Sequence, residues 1–221
     1  MLLPNLSEQD ANMIVRAYTL SEIAHRRQKR LSGEPYFEHV KAIALILIDE
    51  CHITDASIIS AAFLHDVVED TKAFGKQVKI PYTVWIEEVR SNIAQQFNPK
   101  VANSVVALTE PGVDKVEIID KKQAKLIKHN LLFHAPAQTL LVKMADRLHN
   151  LRTFYPKAGI DPKEQKEKKI KETKEILIPI FRKVLKTYPV EGAYLLNEID
   201  KAIAVISNST FLSPNGLNGG M

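Results

Sequence analysis

The sequence predicts an all-α fold, a single-domain helical bundle, and three observations support this prediction. Apolar residues recur at helical spacing almost throughout the chain. No stretch shows the sustained alternation of apolar and polar residues that is typical of strands. Glycine is scarce, with only 8 among 221 residues, and composition changes nowhere enough to mark a second domain. We therefore expect one domain over residues 1–208 and a flexible tail over residues 209–221.

Nine helices are expected, and turn or capping residues separate them. Their ranges are 7–28, 36–51, 55–70, 83–97, 99–109, 114–130, 137–152, 162–187 and 190–207. Ser7 and Asp55 are suited to the N-cap position, because their side-chain oxygens accept hydrogen bonds from unpaired backbone N–H groups. The segments SGEP at 32–35 and KIPY at 79–82 are typical of turns, and the segment 154–162 is expected to form a loop.

Composition and charge exclude several classes of protein. No apolar run is long enough to cross a bilayer, and the first residues lack the basic start and cleavage site of a signal peptide. We therefore expect a cytoplasmic protein with no membrane partner. The net charge is +4, and much of the excess lies in segment 157–174, where lysines alternate with glutamates. That pattern is typical of a solvated helix face, so we expect no nucleic-acid partner.

The segment AAFLHDVVEDT at 61–71 places one histidine and three carboxylates next to apolar residues. On a helix, His65, Asp66, Glu69 and Asp70 form a polar stripe opposite an apolar one, which is the pattern of an amphipathic surface helix. However, the preceding turns are apolar on nearly every side, and the polar stripe contains no lysine or arginine. Because burial of unpaired carboxylates is costly, a bound divalent cation is an equally supported interpretation.

Two further segments carry residues of the types that bind metals. In KMADRLHNLRT at 143–153, Asp146, His149 and Asn150 share one helical face that follows another apolar run. Asp146 could pair with a neighbouring arginine, or it could be the ligand from a distant helix that completes a His/Asp site. In EPYFEHV, His39 lies in the first turn of an apolar helix, where a lone histidine is most often structural. The three segments together favour a metal site more than any one of them alone.

The order of these residues resembles the H…HD…D signature of the HD phosphohydrolase superfamily. RLSGEPYFEHV, AAFLHDVVEDT and VKMADRLHNLRT are similar to three blocks of the hydrolase domain of RelA/SpoT-type alarmone enzymes and their small stand-alone relatives. The resemblance covers about residues 20–155 and implies a helical bundle of the HD-domain type. The helices over about 162–207 would follow this core. The resemblance implies a hydrolase without the synthetase domain of the long enzymes.

The resemblance also implies roles for individual residues. The family's metal ligands, which typically hold Mn²⁺, correspond to His39, His65, Asp66 and Asp146. The family's catalytic acidic pair corresponds to Glu69 and Asp70. The positions that bind the small-molecule nucleotide substrate correspond to Arg30, Ser32, Asn150 and Thr153. Arg30 would pack on the guanine base. Of the remaining histidines, His25 and His149 are expected to lie closest to the metal ligands without binding the ion.

The implied reaction is the hydrolysis of guanosine 3′,5′-bis(diphosphate), ppGpp or pppGpp, to GDP or GTP and pyrophosphate. The sequence departs from the family pattern at Leu31, which replaces a lysine or similar polar residue, at Val40, which replaces a proline, and in the spacing of segment 72–98. Because Leu31 lies in the substrate loop, an HD phosphohydrolase for another nucleotide or phosphoester is one alternative. A non-catalytic nucleotide-binding regulatory module is a second. Nothing in the sequence indicates an oligomeric state.

Overall fold

The computed structural model describes residues 6–75, 81–110 and 121–209, and the chain is predominantly helical across these ranges. The prediction of an all-α bundle is confirmed. Outside the helices, one isolated antiparallel bridge joins Lys29 to Pro35 within the described residues. The helices are α1 (Glu8–His25), α2 (Tyr36–Leu45), α3 (Ala56–Leu64), α4 (Val67–Asp70), α5 (Tyr82–Gln96), α6 (Pro99–Leu108), α7 (Lys121–His134), α8 (Ala137–Arg152), α9 (Pro162–Glu172), α10 (Ile178–Phe181) and α11 (Pro189–Asn208).

The helix boundaries follow the capping chemistry that the sequence predicts. The hydroxyl of Ser7 accepts a hydrogen bond from the backbone N–H of Asp10 at 3.1 Å. The carboxylate of Asp55 accepts from the N–H of Ser57 at 2.7 Å. Both predicted N-caps are therefore confirmed. Three expected features lie wholly or partly outside the described residues: the expected helix 114–130 before residue 121, the first half of the KIPY turn, and the tail from residue 210 onward.

The largest departure from the expected helices lies at the His-Asp doublet. The predicted helix 55–70 is interrupted, because α3 ends one residue before His65 and α4 begins one residue after Asp66. The ring Nδ1 of His65 lies 2.8 Å from the carbonyl oxygen of Ala62. A continuous helix would use that carbonyl for the backbone N–H of Asp66, so the side chain competes with the helical hydrogen bond. The doublet consequently lies at a joint between two helices.

Helices α3 and α8 lie at the centre of the bundle. Helix α3 packs against α1, α2, α6 and α8, and α8 also packs against α2, α6 and α11. Nearly every side chain of α3 is buried, which explains why its sequence is apolar on all sides. Its C-terminal end therefore delivers the doublet into the interior of the protein. Among the helices of the described ranges, none has the length and hydropathy that a bilayer span requires.

Candidate active site

Helices α2, α3 and α8 bring three of the predicted metal ligands together. The ligand atoms of His39, His65 and Asp146 all lie within 4.8 Å of one another, and all three residues are buried. His39 comes from the first turn of α2, His65 directly follows α3, and Asp146 lies on α8. The Nε2 atom of His39 lies 3.5 Å from Oδ1 of Asp146. The polar side chains of three distant segments therefore face one point inside the bundle.

Asp66, the fourth predicted ligand, borders this cluster. Its Oδ2 atom lies 2.9 Å from Nε2 of His65 and 3.8 Å from Nε2 of His39. The same oxygen accepts a hydrogen bond of 2.7 Å from the hydroxyl of Tyr36. Burial raises the pKa of Tyr36, and the charge of Asp66 raises it further, so this hydroxyl stays protonated and acts as a donor. Tyr36 thus holds the carboxylate of Asp66 so that its Oδ2 atom faces the rings of both His39 and His65.

The surroundings of the Nε2 atom of His65 indicate whether a cation fits the cluster. This nitrogen is buried and lies 2.9 Å from Oδ2 of Asp66, so the two atoms are placed either to share a proton or to bind the same cation. Imidazole nitrogens and carboxylate oxygens are common ligands of divalent transition metals. The donor set therefore fits a divalent cation.

Charges within the cluster keep its carboxylates ionised. Burial would raise the pKa of Asp66, but the neighbouring His65 lowers it well below its usual range. Lys143 likewise lowers the pKa of Asp146 well below its usual value. The ammonium group of Lys143 donates a hydrogen bond of 2.5 Å to Oδ2 of Asp146. Burial would lower the pKa of His65, yet Asp66 outweighs burial and raises it to about 9. Without an ion, the proton that His65 carries stabilises the negative charge of Asp66. A cation that binds to Nε2 of His65 would have to displace this proton.

The predicted catalytic pair, Glu69 and Asp70, contacts two different segments of the chain. The backbone carbonyl of Asp70 accepts a hydrogen bond of 2.6 Å from the side chain of Gln28. The carboxylate of Glu69 accepts from the backbone N–H of Glu110 at 2.9 Å and lies 3.7 Å from the ammonium group of Lys128. Burial raises the pKa of both carboxylates. A raised pKa suits a carboxylate to proton exchange closer to neutral pH.

Arg30 contacts two of the other predicted substrate residues directly. The guanidinium group of Arg30 donates to the hydroxyl of Thr153 at 2.8 Å and to the side-chain oxygen of Asn150 at 2.9 Å. The amide nitrogen of Asn150 donates in turn to Oδ1 of Asp146 at 2.5 Å. One amide side chain therefore joins Arg30 to the histidine–aspartate cluster. Ser32 lines the same cleft and lies in the loop that carries Arg30.

A cleft of about 680 Å³ opens above the histidine–aspartate cluster and is lined by His39, Asp66 and Asp146. Positive side chains outnumber carboxylates along its walls. The cations are Lys29, Arg30, Lys125, Lys143, Arg147, Lys157, Lys168 and Lys169. Such an excess of positive charge attracts polyanions, phosphate esters among them. Three exposed apolar side chains also line the cleft, those of Leu31, Tyr155 and Ile160.

Several residues of this site were not predicted from the sequence. Tyr36 lies three positions before His39, and Lys143 three positions before Asp146, so helical spacing was a signal that could have found both. Lys125 of α7 lines the cleft and pairs there with Glu172 of α9. No local pattern in the sequence indicates that contact.

Glu172, at the end of α9, holds the cations of the cleft wall together. Its carboxylate lies 2.7 Å from the ammonium group of Lys125, 3.2 Å from the guanidinium group of Arg147 and 3.5 Å from Nε2 of His129. Burial would raise the pKa of Glu172, but its bond to Lys125 and the charge of Arg147 lower it to about 2. The carboxylate therefore stays ionised and orders the cationic wall.

Replacement of Glu172 by glutamine should lower the free energy of unfolding at pH 7 and have almost no effect near pH 2. The folded-state pKa is about 2 and the usual value is 4.5, so the carboxylate stabilises the fold fully above pH 4.5. This contribution is lost as the pH falls through 2. We expect a loss of up to about 3 kcal/mol at pH 7, measured by urea unfolding from pH 7 to 2.

The matched control for this prediction is Glu167→Gln, which changes an exposed glutamate of the same helix. It should leave the free energy of unfolding nearly unchanged at every pH. A difference between Glu172→Gln and the unsubstituted protein that stays constant from pH 7 to 2 would contradict the role of the carboxylate charge.

The histidines and aspartates of the predicted signature meet inside a helical bundle, as the resemblance to HD proteins implies. Residues 17–184 match the family model described as HD domain. The chain therefore belongs to the HD domain family, and its recognition from the sequence is confirmed.

Its curated relatives include enzymes of alarmone metabolism. The chain is 35% identical over 180 residues to "GTP pyrophosphokinase rsh" of Brucella melitensis. The aligned region covers 80% of this chain and 20% of that protein. It is 31% identical over 182 residues to "Bifunctional (p)ppGpp synthase/hydrolase SpoT" of Escherichia coli, covering 81% of this chain and 23% of the relative. The chain thus spans about a fifth of the length of these relatives.

A solved structure shares the fold. Its description reads "A metazoan ortholog of SpoT hydrolyzes ppGpp and plays a role in starvation responses". The two structures superpose with a TM-score of 0.58, over 90% of this chain and 96% of the other, at 24% sequence identity. This similarity supports the helical fold of the HD-domain type across most of the chain.

Proposed function

We propose that this protein is a metal-dependent hydrolase of guanosine 3′,5′-bis(diphosphate), ppGpp, and of its 5′-triphosphate form, pppGpp. It would convert them in the cytoplasm to GDP and GTP respectively, with release of pyrophosphate. The proposal rests on one observation above all: the His39, His65 and Asp146 cluster faces a strongly basic cleft. A site for a divalent cation beside a surface for several phosphates suits a phosphoester hydrolase. The relative from Escherichia coli is named as a (p)ppGpp synthase/hydrolase, which supports the same substrate.

Four residues would hold the ion, which we propose to be Mn²⁺: His39, His65, Asp66 and Asp146. The bound ion would polarise a phosphate oxygen and lower the pKa of a coordinated water. Water adds to the phosphorus that is attached to the 3′ oxygen, and the bond between that phosphorus and the 3′ oxygen breaks. The 3′ oxygen takes up a proton, and pyrophosphate leaves. One water molecule balances the reaction, because its oxygen becomes part of pyrophosphate and one of its protons goes to the 3′ oxygen.

Glu69 and Asp70 would orient the water and exchange its proton. Their raised pKa values support this role, because each carboxylate then binds a proton more readily than in free solution. Arg30 would stack its planar guanidinium group on the base. Asn150 and Thr153, which it contacts at 2.9 and 2.8 Å, hold that group in place. Ser32 would contribute a hydroxyl from the same loop.

A direct test is to incubate the purified protein with ppGpp and Mn²⁺ and to measure the pyrophosphate released. We expect release that stops when a chelator removes the metal and resumes when Mn²⁺ is added back. Failure to release pyrophosphate, combined with hydrolysis of deoxynucleotides or simple monophosphates, would contradict the alarmone substrate and leave the broader HD hydrolase. Nucleotide binding without any turnover would instead identify a regulatory module.

Leu31 favours the second candidate, a hydrolase of another nucleotide. Its side chain is 59% exposed and lines the cleft at the position where the family usually has a lysine or similar polar residue. With Tyr155 and Ile160 it adds apolar surface to a cleft that is otherwise basic. A ligand with an apolar or aromatic group in addition to its phosphates would match both surfaces.

Replacement of Leu31 by lysine should lower KM for ppGpp by about threefold and leave kcat unchanged, because a cation at the edge of the cleft strengthens attraction of the substrate and not the chemical step. The effect should disappear in 0.5 M salt, where such charges are screened. Leu45→Lys, an exposed leucine that does not line the cleft, is the matched control. An equal change in KM for both variants would exclude a local effect of position 31.

A further inference from the structure

His149 makes the most unusual contact of the histidine–aspartate cluster. Its Nδ1 atom lies 2.8 Å from Nδ1 of His39, which is a hydrogen-bond distance between two ring nitrogens. The ring centroids are 4.8 Å apart and the planes are inclined by 48°. His149 lies outside the group of three whose ligand atoms are within 4.8 Å of one another. It therefore touches a proposed metal ligand from the side opposite the ion.

Whether His39 can coordinate a metal ion depends on which of the two Nδ1 atoms carries the hydrogen between them. A neutral imidazole has one N–H and one lone pair. If the shared proton belongs to His149, Nδ1 of His39 accepts and its Nε2 carries a hydrogen, which blocks coordination. If the proton belongs to His39, its Nε2 has a lone pair. That nitrogen lies 3.5 Å from Asp146 and 3.8 Å from Asp66, on the side of the proposed ion.

Two features around His149 favour it as the acceptor. The first is the hydrogen-bond contact between the two Nδ1 atoms, which leaves Nε2 of His39 on the side of the proposed ion. The second is general: histidines that bind metals regularly donate their second ring N–H to a neighbouring acceptor. For His39, the contact of its Nδ1 with His149 supplies that acceptor.

We infer that His149 is a positioning residue, whose Nδ1 accepts the Nδ1–H of His39 and so directs the lone pair of His39 Nε2 at the divalent ion. This inference rests on the metal site of the proposed function. Helix α8 then carries both a ligand, Asp146, and the residue that prepares a second ligand from α2. The two lie on the same helical face, one turn apart.

The experiment compares two variants by isothermal titration of the purified, metal-free chain with Mn²⁺. His149→Leu keeps approximate size and removes the acceptor, whereas His149→Asn retains an acceptor oxygen close to the position of Nδ1. We expect His149→Leu to weaken Mn²⁺ binding by about 10- to 100-fold and His149→Asn to stay within about threefold of the unsubstituted protein. His134→Leu, at an exposed histidine of α7, is the control and should bind normally.

Each outcome has a defined meaning, provided that circular dichroism shows folded variants without metal. Unchanged affinity of His149→Leu overturns the inference and leaves the metal site intact. Equal weakening in His149→Asn and His149→Leu overturns it as well, because an acceptor would then not suffice. Absence of Mn²⁺ binding by the unsubstituted protein overturns the metal site itself, and the inference with it. Rescue by asparagine alone supports the hydrogen bond, since a purely structural role would not distinguish the two variants in this way.

Discussion

Replacement of Asp66 by alanine should abolish pyrophosphate release and the retention of Mn²⁺ while the helical fold persists. Under the proposed function this carboxylate is a ligand, and its Oδ2 atom is also the acceptor for Tyr36 and the close neighbour of His65. A metal ion contributes several kcal/mol to transition-state stabilisation in hydrolysis. Its loss should reduce the rate at least about a thousandfold. The measurements are pyrophosphate release, metal content by mass spectrometry and helicity by circular dichroism.

The control for this prediction is Asp200→Ala, which removes an exposed carboxylate of α11. It should retain full activity and one metal ion per chain. A variant Asp66→Ala that purifies with the same manganese content as the unsubstituted protein would show that Asp66 is not a ligand. Loss of helicity in Asp66→Ala would also contradict the expectation, since its side chain lies at the edge of the site and not within the apolar core.

Replacement of Phe181 by alanine should lower the free energy of unfolding by about 3–5 kcal/mol, the largest effect on stability that we expect of a single substitution here. Phe181 is fully buried and is one of the largest such side chains in the described residues. Its helix, α10, packs against α8 and α11, so the cavity left by the ring is enclosed by several elements. Urea unfolding measures the loss, and its slope with denaturant should stay unchanged.

Phe133→Ala is the matched control, because the ring of Phe133 is 53% exposed. One of its contacts is the ammonium group of Lys183, 4.3 Å from the ring centroid, and such exposed contacts contribute at most about 1 kcal/mol. Similar losses in both variants would mean that burial is not what makes Phe181 important. A small loss in Phe181→Ala would show that the surrounding helices collapse into the cavity.

The sequence was sufficient to predict the helices and to group residues that the fold brings together. Helical periodicity is local, so most boundaries were predicted within a few residues. The grouping of His39, His65 and Asp146 came from a resemblance between motifs, because residues on separate helices cannot be placed side by side from periodicity alone. Asp66, Glu69 and Asp70 were assigned roles in the same way, and those roles stay predictions, of which Asp66→Ala tests the first.

What the sequence did not predict depends on tertiary geometry. The break at His65 arises from competition between its ring and a backbone N–H for the carbonyl of Ala62, and both outcomes are compatible with the same residue pattern. The contact between His39 and His149 depends on how α2 and α8 cross. The three basic side chains around Glu172 come from α7 and α8 and meet only after α9 has packed. Helical spacing within each segment contains no information on these distances.

The side chain of Asn150 has a thermodynamic consequence. Its oxygen accepts from Arg30, the proposed base contact, and its nitrogen donates to Asp146, a proposed metal ligand. An amide oriented by one of these partners is already oriented for the other. We therefore expect positive linkage: nucleotide should tighten Mn²⁺ binding, and Mn²⁺ should tighten nucleotide binding by the same factor, because coupling free energies are reciprocal. A single side chain would then make occupancy of each half of the cleft depend on the other.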